Sequence, residues 1–423
     1  MKSEPTVVFF PEGAYGPTNN CAGIGQVLRE RGARVVFVVE ESFAGSLDAQ
    51  GFEEALMRLK PRAAIEEAPG QFWKDFVRET APEFRKPTLE QLESFVLPVW
   101  QELVDGARYA DERLAAIFEE LEPDVIVEDN VVAFPAVPAS GVPWVRIVSC
   151  NPLELKDPGL PPPYSGYPTG DRSDWDEFRT RYRELHEPLR REFSEFCVDR
   201  GAPPLPDGEF IHESPWLNLY VYPLETDYER TQPLAATWER LDSCVRKASS
   251  TYELPDEGSK TIYLSLGSLG SADVGLMQKL IDTFAATDAF VVVSMGPQHA
   301  ELRLGANMRG EEFLPQPALL PHVDLVITHG GNNTVTESLH FGKPMVVLPL
   351  FWDQYDNAQR MHELGLGRRL DTYRHDPAEL IEAVEGLTAD VALSARLASI
   401  SSRLRTARGT VRAADLIERV AAR

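Results

Sequence analysis

Histidine is scarce in this chain: there are eight in 423 residues, and none precedes His186. Chemistry that needs an imidazole from the early segments is therefore excluded. Cysteine is scarcer still. Cys21, Cys150, Cys197 and Cys244 are scattered, with no pair at metal-ligand spacing. That argues against a zinc site or a disulfide scaffold and leaves free thiols in a reducing cytoplasm as the expectation. No window reaches the roughly 20 apolar residues of a membrane-spanning helix. The strand-like Thr6-Val7-Val8-Phe9-Phe10 follows the first methionine too closely for a signal peptide. Positive charge is also short, with 42 Lys and Arg against 66 Asp and Glu, a net charge of -24. A surface of that sign disfavours nucleic acid and anionic membranes as partners. A cytoplasmic monomer or homodimer is expected.

What is present is a repeated strand–helix pattern. Val7–Phe10 reads as a buried strand, Gly23–Arg31 as a helix stopped by Gly32, and Val35–Val39 as the next strand. That is a βαβ opening, which favours a parallel sheet. A long amphipathic helical region spans about 88–121, and Asp124–Val127 and Trp144–Val148 read as further buried strands. The stretch 231–260 has no clear period and carries Pro233, Pro255 and Gly258, so it reads as an interdomain linker. The pattern then restarts with the strand Thr261–Leu266. The expected fold is α/β, two doubly wound Rossmann-like domains facing across a cleft. Residues 1–230 are expected to form the first domain and 261–400 the second. The helical tail 401–423 is expected to pack back toward the first domain. Ligands in such sheets bind beyond the strand carboxyl ends.

The densest signal is His329-Gly330-Gly331-Asn332-Asn333-Thr334-Val335-Thr336-Glu337, following the apolar run Val323–Thr328. It reads as a buried strand, a glycine turn and a helix start. Helix-start NH groups lack intrahelical partners and the dipole there is positive, so the turn suits a phosphate. Asn333 and Thr334 add side-chain donors, and Glu337 lies about one turn on, placed to accept from ribose hydroxyls. A second polar cluster, Phe351-Trp352-Asp353-Gln354, follows the next strand. Taken singly, His329 reads as a core histidine, Asn333 and Thr334 as caps, and Phe313 as core. The spacing of the whole set points instead to a nucleotide-sugar pocket.

These motifs resemble the family of nucleotide-sugar-dependent glycosyltransferases with two Rossmann-like domains, the GT-B fold, which includes plant natural-product and bacterial macrolide enzymes. The match is densest from about 313 to 357. The resemblance implies that Phe313 stacks on the base and Gln316 bonds the base or ribose. It implies that His329, Gly331, Asn333 and Thr334 hold the diphosphate and Glu337 the ribose. Asp353 and Gln354 correspond to the pair that holds sugar hydroxyls. Gly267 and Ser268 correspond to a strand–Gly–Ser turn near the phosphates. The implied reaction is inverting transfer of a hexose from a UDP-sugar co-substrate, with no cofactor and no metal. No Asp-x-Asp metal motif lies near the donor strands. Aromatic residues of the first half, Trp100, Phe134 and Tyr164 among them with Phe72 and Trp73, are candidates for a pocket taking a polyketide, macrolide or flavonoid-like acceptor.

The sequence departs from the family at one place. Members carry a His just after the first strand as the base for the acceptor hydroxyl, and Pro17 stands at that position here. The family's partner carboxylate corresponds to Asp129. Three readings remain open at this level. Asp129 is the base, directly or through a water. Glu12, or an acidic phenol acceptor, supplies the deficit. Or the chain binds without turnover. Carbon–glycoside formation on a phenolic aglycone also fits the missing His.

Overall fold

The computed structural model describes residues 4–61, 75, 79–248, 251–254 and 260–423. Phe72 and Trp73 lie outside the described residues. The first sheet contains β1 (Thr6–Pro11), β2 (Arg34–Glu40), β3 (Glu53–Met57), β4 (Val125–Asp129), β5 (Trp144–Val148), β6 (Leu217–Val221) and β7 (Trp238–Leu241). The second contains β8 (Thr261–Ser265), β9 (Phe290–Ser294), β10 (Met308–Glu311), β11 (Leu325–Thr328), β12 (Met345–Val347) and β13 (Gly367–Arg369). Every pairing is parallel. Strands of parallel sheets are covered on both faces, which explains unbroken apolar runs such as Val7–Phe10 and Val291–Val293.

The helices that matter below are α1 (Tyr15–Glu30), α2 (Leu97–Leu121), α3 (Trp175–Asp199), α4 (Val274–Ala285), α5 (Asn332–His340), α6 (Gln354–Glu363), α7 (Pro377–Ala389), α8 (Val391–Ala407) and α9 (Gly409–Ala421). Helix α1 starts earlier than the expected Gly23. Its first turns are polar, with Pro17 in the first turn, where a missing NH costs nothing. Thr18 and Asn20 among them are buried, and this polar buried stretch hid the helix from an apolar-period reading. A π-helical stretch, Leu92–Val96, leads into α2.

Strand order fixes where ligands bind. The first sheet runs β3-β2-β1-β4-β5-β6-β7 and the second β10-β9-β8-β11-β12-β13. Chain direction across each sheet reverses between β1 and β4, and between β8 and β11. A crevice opens beyond the carboxyl ends at such a reversal. The two crevices face each other. The first sheet runs past residue 230, the expected end of the domain, because β7 lies within the stretch read as linker and pairs with β6. Helix α9 returns to the first domain, where Ala413, Ala414, Ile417 and Val420 pack with Val125, Val127 and Leu219. Its start needs Gly409, since a Cβ there would lie 2.1 Å from the Ser243 carbonyl oxygen. Among the described residues, no helix is long and apolar enough to cross a membrane.

Candidate active site

The donor half begins where β11 ends. Gly330 has φ +93, and a Cβ on it would meet Val347 at 2.7 Å. Only glycine turns the chain here without a clash. The His329 ring is wedged between two glycines. A Cβ on Gly267 would come within 2.7 Å of it, and one on Gly331 within 2.6 Å. Burial lowers the His329 pKa to about 4, opposed by a backbone contact with Ser265. The imidazole is therefore neutral at pH 7, with one N–H to give. The backbone of Ser268 lies in the short turn Gly267–Gly270; its side chain is outside the described residues.

Helix α5 starts at Asn332, and α1 packs against it. A Cβ on Gly16, in the first turn of α1, would sit 3.7 Å from the Asn333 Cβ. Two helix amino termini, one per domain, thus converge on one point, and both dipoles favour an anion there. Asn332 ties the domains together by donating to the carbonyls of Ser149 (3.0 Å) and Val221 (3.1 Å).

Glu337 is buried, and its oxygens are engaged. Oε2 accepts from Gln316 Nε2 at 2.6 Å; Oε1 accepts from Asn333 Nδ2 at 3.2 Å and from Arg246 Nη1 at 3.1 Å. Gln316 also reaches Thr334 Oγ1 at 3.5 Å. Phe313 is 47% exposed and leans on Tyr15 of the other domain, ring centroids 5.8 Å apart. Structure thus brings Phe313, Gln316, Thr334, Asn333 and Glu337 together. Arg246 is the partner that sequence reasoning missed, because it sits in the stretch read as linker.

Asp353 and Gln354 open α6. Asp353 Oδ2 accepts from the Asn151 backbone N–H at 2.8 Å, across the cleft. Gln354 Oε1 accepts from the N–H groups of Leu350 and Phe351, holding its own loop. Trp352, just before them, has φ +57, unusual for a residue with a bulky side chain. Its ring packs at a tilt against Tyr164 (centroids 4.4 Å) and Trp100 (5.3 Å), and Trp100 itself stacks on Phe210 (4.2 Å). Trp100 and Tyr164 are therefore parts of an interdomain aromatic wall. Phe134 packs edge-on against Phe10 and lines a separate cavity of about 250 Å³ with Glu12, Met57, Leu103 and Asn130.

The acidic residues meet where the two crevices face. The Glu12 backbone N–H donates to the Asp129 carbonyl at 2.9 Å, which sets the two residues side by side. Asp129 is 2% exposed; Ser149 Oγ donates to its Oδ2 at 2.6 Å and is itself bonded by Asn20 Nδ2 at 2.9 Å. Burial raises Asp129 to about 6, opposed by Ser149. Burial raises Glu12 to about 7, with Asp129, Glu154 and Asp353 pushing the same way. Burial also raises Asp353 to about 7. Glu154, whose pKa burial also raises, accepts from the Tyr164 hydroxyl; nothing in its sequence context marked it. Among the described residues, no group of three or more His, Cys, Asp or Glu is arranged to hold a metal ion.

This cluster makes a stability prediction. Glu12 and Asp353 near 7 and Glu128 near 8 lie above their ordinary values, so the fold favours their protonated forms. Their contribution is full below the ordinary carboxyl range and is lost as pH rises through 7 to 8. His186, His329 and His340, lowered to about 4, weaken the fold only as pH falls below 6.5. Between pH 6.5 and about 8.5 the acids alone act, so the melting temperature should fall as pH rises. Scanning calorimetry on the parent and on Glu128→Gln checks this. The variant's slope should be flatter, and a melting temperature that climbs over that range would refute the assignment.

Residues 278–408 match the family described as erythromycin biosynthesis protein CIII-like, C-terminal domain. Over 335 residues the chain is 28% identical to zeaxanthin glucosyltransferase of Pseudescherichia vulneris, covering 74% of this chain and 77% of that one. Among solved structures it is similar to the glycosyltransferase of kitacinnamycin, with a TM-score of 0.66, 24% identity, and 99% and 100% of the two chains covered. It is also similar to a spinosyn rhamnosyltransferase complexed with thymidine diphosphate, with a TM-score of 0.61, 19% identity, and 97% and 100% covered.

Proposed function

We propose that this chain is a natural-product glycosyltransferase of the UDP-glycosyltransferase-like kind and that it moves a hexose, glucose first, from a UDP-sugar to a hydroxyl of a hydrophobic small molecule. The observation that carries the reading is the meeting of two halves at the facing crevices. On one side a neutral imidazole and two helix starts surround the place for a diphosphate. On the other, a cavity with apolar walls ends at a carboxyl near pKa 7.

In this reading the departing diphosphate is stabilised by His329 and by the helix-start N–H groups of α5 and α1. These supply positive potential where charge develops, the role a cation plays in other phosphate sites, so the reaction is metal-independent. Asp353 and Gln354 hold the sugar. Phe313 and Tyr15 form the base platform. Glu12 takes the acceptor proton, because it lines the cavity whereas Asp129 is sealed behind it. Direct attack on the sugar carbon from the face opposite the diphosphate inverts that centre. The named acceptor of the P. vulneris relative, a carotenoid, is apolar with hydroxyl groups, consistent with a cavity lined by Phe10, Met57, Leu103 and Phe134.

The test is a screen of UDP- and TDP-glucose against zeaxanthin, a macrolide and a flavonoid, read by mass spectrometry. NMR of any product would then separate oxygen from carbon attachment. Absence of sugar transfer and of nucleotide release across the whole panel would sink the reading. A narrower prediction concerns Glu337. Glu337→Ala should weaken UDP by about tenfold, since unpartnered buried hydroxyls cost on the order of 1–3 kcal/mol. Unchanged UDP affinity by calorimetry removes Glu337 from the ribose site.

A further inference from the structure

We propose that the first domain carries a second pocket, built around Arg146, that takes a monoanionic carboxylate with an apolar body. The inference goes beyond glycosyl transfer and rests on none of the donor-site assignments.

Its basis is one row of residues across four adjacent strands. Glu128 on β4 pairs in register with Arg146 on β5, Arg146 with Asn218 on β6, and Asn218 with Trp238 on β7. Register partners in a sheet project to the same face. All four are buried. Asn218 is satisfied, accepting from the Ser214 N–H and donating to its carbonyl. The other three are not: Glu128 Oε2, Arg146 Nε and Trp238 Nε1 have no hydrogen-bond partner. Arg146 is only 7% exposed, and its guanidinium carbon lies 5.6 Å from the centroid of the Trp238 ring. No carboxylate among the described residues lies in ion-pair range of it. A guanidinium buried without an anion is costly. No hydrogen bond joins Glu128 to Arg146, and burial pushes the Glu128 carboxyl up toward its neutral form against the opposing charge of Arg146.

Arg146 opens onto a cavity of about 660 Å³ between the segment following β5 and the loop 203–216. The walls are mixed: Trp144, Leu155, Ile211 and Leu234 supply apolar surface beside the charged groups. The other basic side chains lining it are engaged, and burial holds His212 toward its neutral form. Lys156 donates to the Gly208 carbonyl and pairs with Glu209 at 3.0 Å, and His212 Nε2 lies 2.8 Å from the Pro203 carbonyl. Among the described residues Arg146 is thus the cation of the lining with no ion pair inside 4 Å, although its charge acts at longer range on Glu128, Asp129 and Glu154. A guanidinium fork matches a planar carboxylate in bidentate fashion. Glu154, Glu209 and Glu213 also line the cavity, and their charge disfavours a dianion such as phosphate.

The probe is 1-naphthoate, with neutral 1-naphthamide as its isostere, titrated into the full chain by calorimetry without any sugar nucleotide. The parent should bind naphthoate saturably, one to one, and naphthamide about tenfold more weakly or worse. Arg146→Met should lose naphthoate by a similar factor while keeping its circular dichroism. If that variant does not fold, Leu234→Trp, which fills the cavity, should weaken naphthoate instead. Equal binding to parent and variant, equal affinity for acid and amide, or no saturable binding would each overturn the proposal and leave the cavity to water. Inorganic phosphate displacing naphthoate at comparable concentration would overturn the carboxylate assignment. Loss of glycosyl transfer in the donor-site variants would bear on none of these outcomes.

Discussion

His329→Ala is expected to lower turnover by about 10²–10³-fold, the usual loss when one preorganised donor to a developing negative charge is removed. UDP binding should weaken far less, because ground-state diphosphate is also held by helix-start N–H groups that the substitution leaves in place. The wedge geometry makes the point specific. With glycines on both sides, the ring is fixed by backbone and cannot be replaced by a neighbouring side chain. His329→Gln, which keeps an N–H donor, should recover part of the loss. Because burial holds His329 at about 4, it does not titrate between pH 6 and 9 in the free enzyme. The pH dependence of kcat/KM, which reports free-enzyme groups, should then be the same in the parent and in His329→Gln. Turnover within about twofold of the parent in His329→Ala, or equal losses in UDP affinity and turnover, would remove His329 from the transition state.

The donor half was legible because its physics is local. Gly267, Gly330 and Gly331 are needed by the turn itself, and the β11 strand and α5 start adjoin in sequence. A single window therefore contains most of the donor contacts. The rest is tertiary. Arg246 reaches Glu337 from 91 residues away, in a stretch with no periodic signal. Asp129 is held by Ser149, Asn20 and Cys21, which come from β5's end and from α1. Helix α1 was placed late because its first two turns carry Thr18, Asn19 and Asn20, which read as loop. Asn20 is instead a buried donor to Ser149. The left-handed Trp352 could not be read at all, since a non-glycine in that region is a product of packing against Trp100 and Tyr164.

Glu12→Gln is expected to have the other large effect, and only on some acceptors. General-base help is worth about 10²–10⁴-fold where the proton is hard to remove. Transfer to an alkyl hydroxyl should therefore fall by that order, while transfer to an acidic phenol, which arrives partly ionised, should fall much less. The loss should shrink steadily as acceptor pKa falls. For an alkyl acceptor the parent's kcat/KM should rise with pH through about 7, the value set by burial and by Asp129, Glu154 and Asp353. The Gln variant should show no such rise. Asp129→Asn gives the complementary result. It removes a negative charge that holds Glu12 high, so the rise should move to lower pH and the alkyl rate should survive in part. Glu12 and Asp129 are coupled, so the midpoint belongs to the pair, and the two variants together are what separate them. If Asp129→Asn abolished alkyl transfer while Glu12→Gln merely shifted the midpoint, the base would be Asp129. A loss in Glu12→Gln of equal size across all acceptors would make Glu12 a structural carboxyl with no part in proton removal.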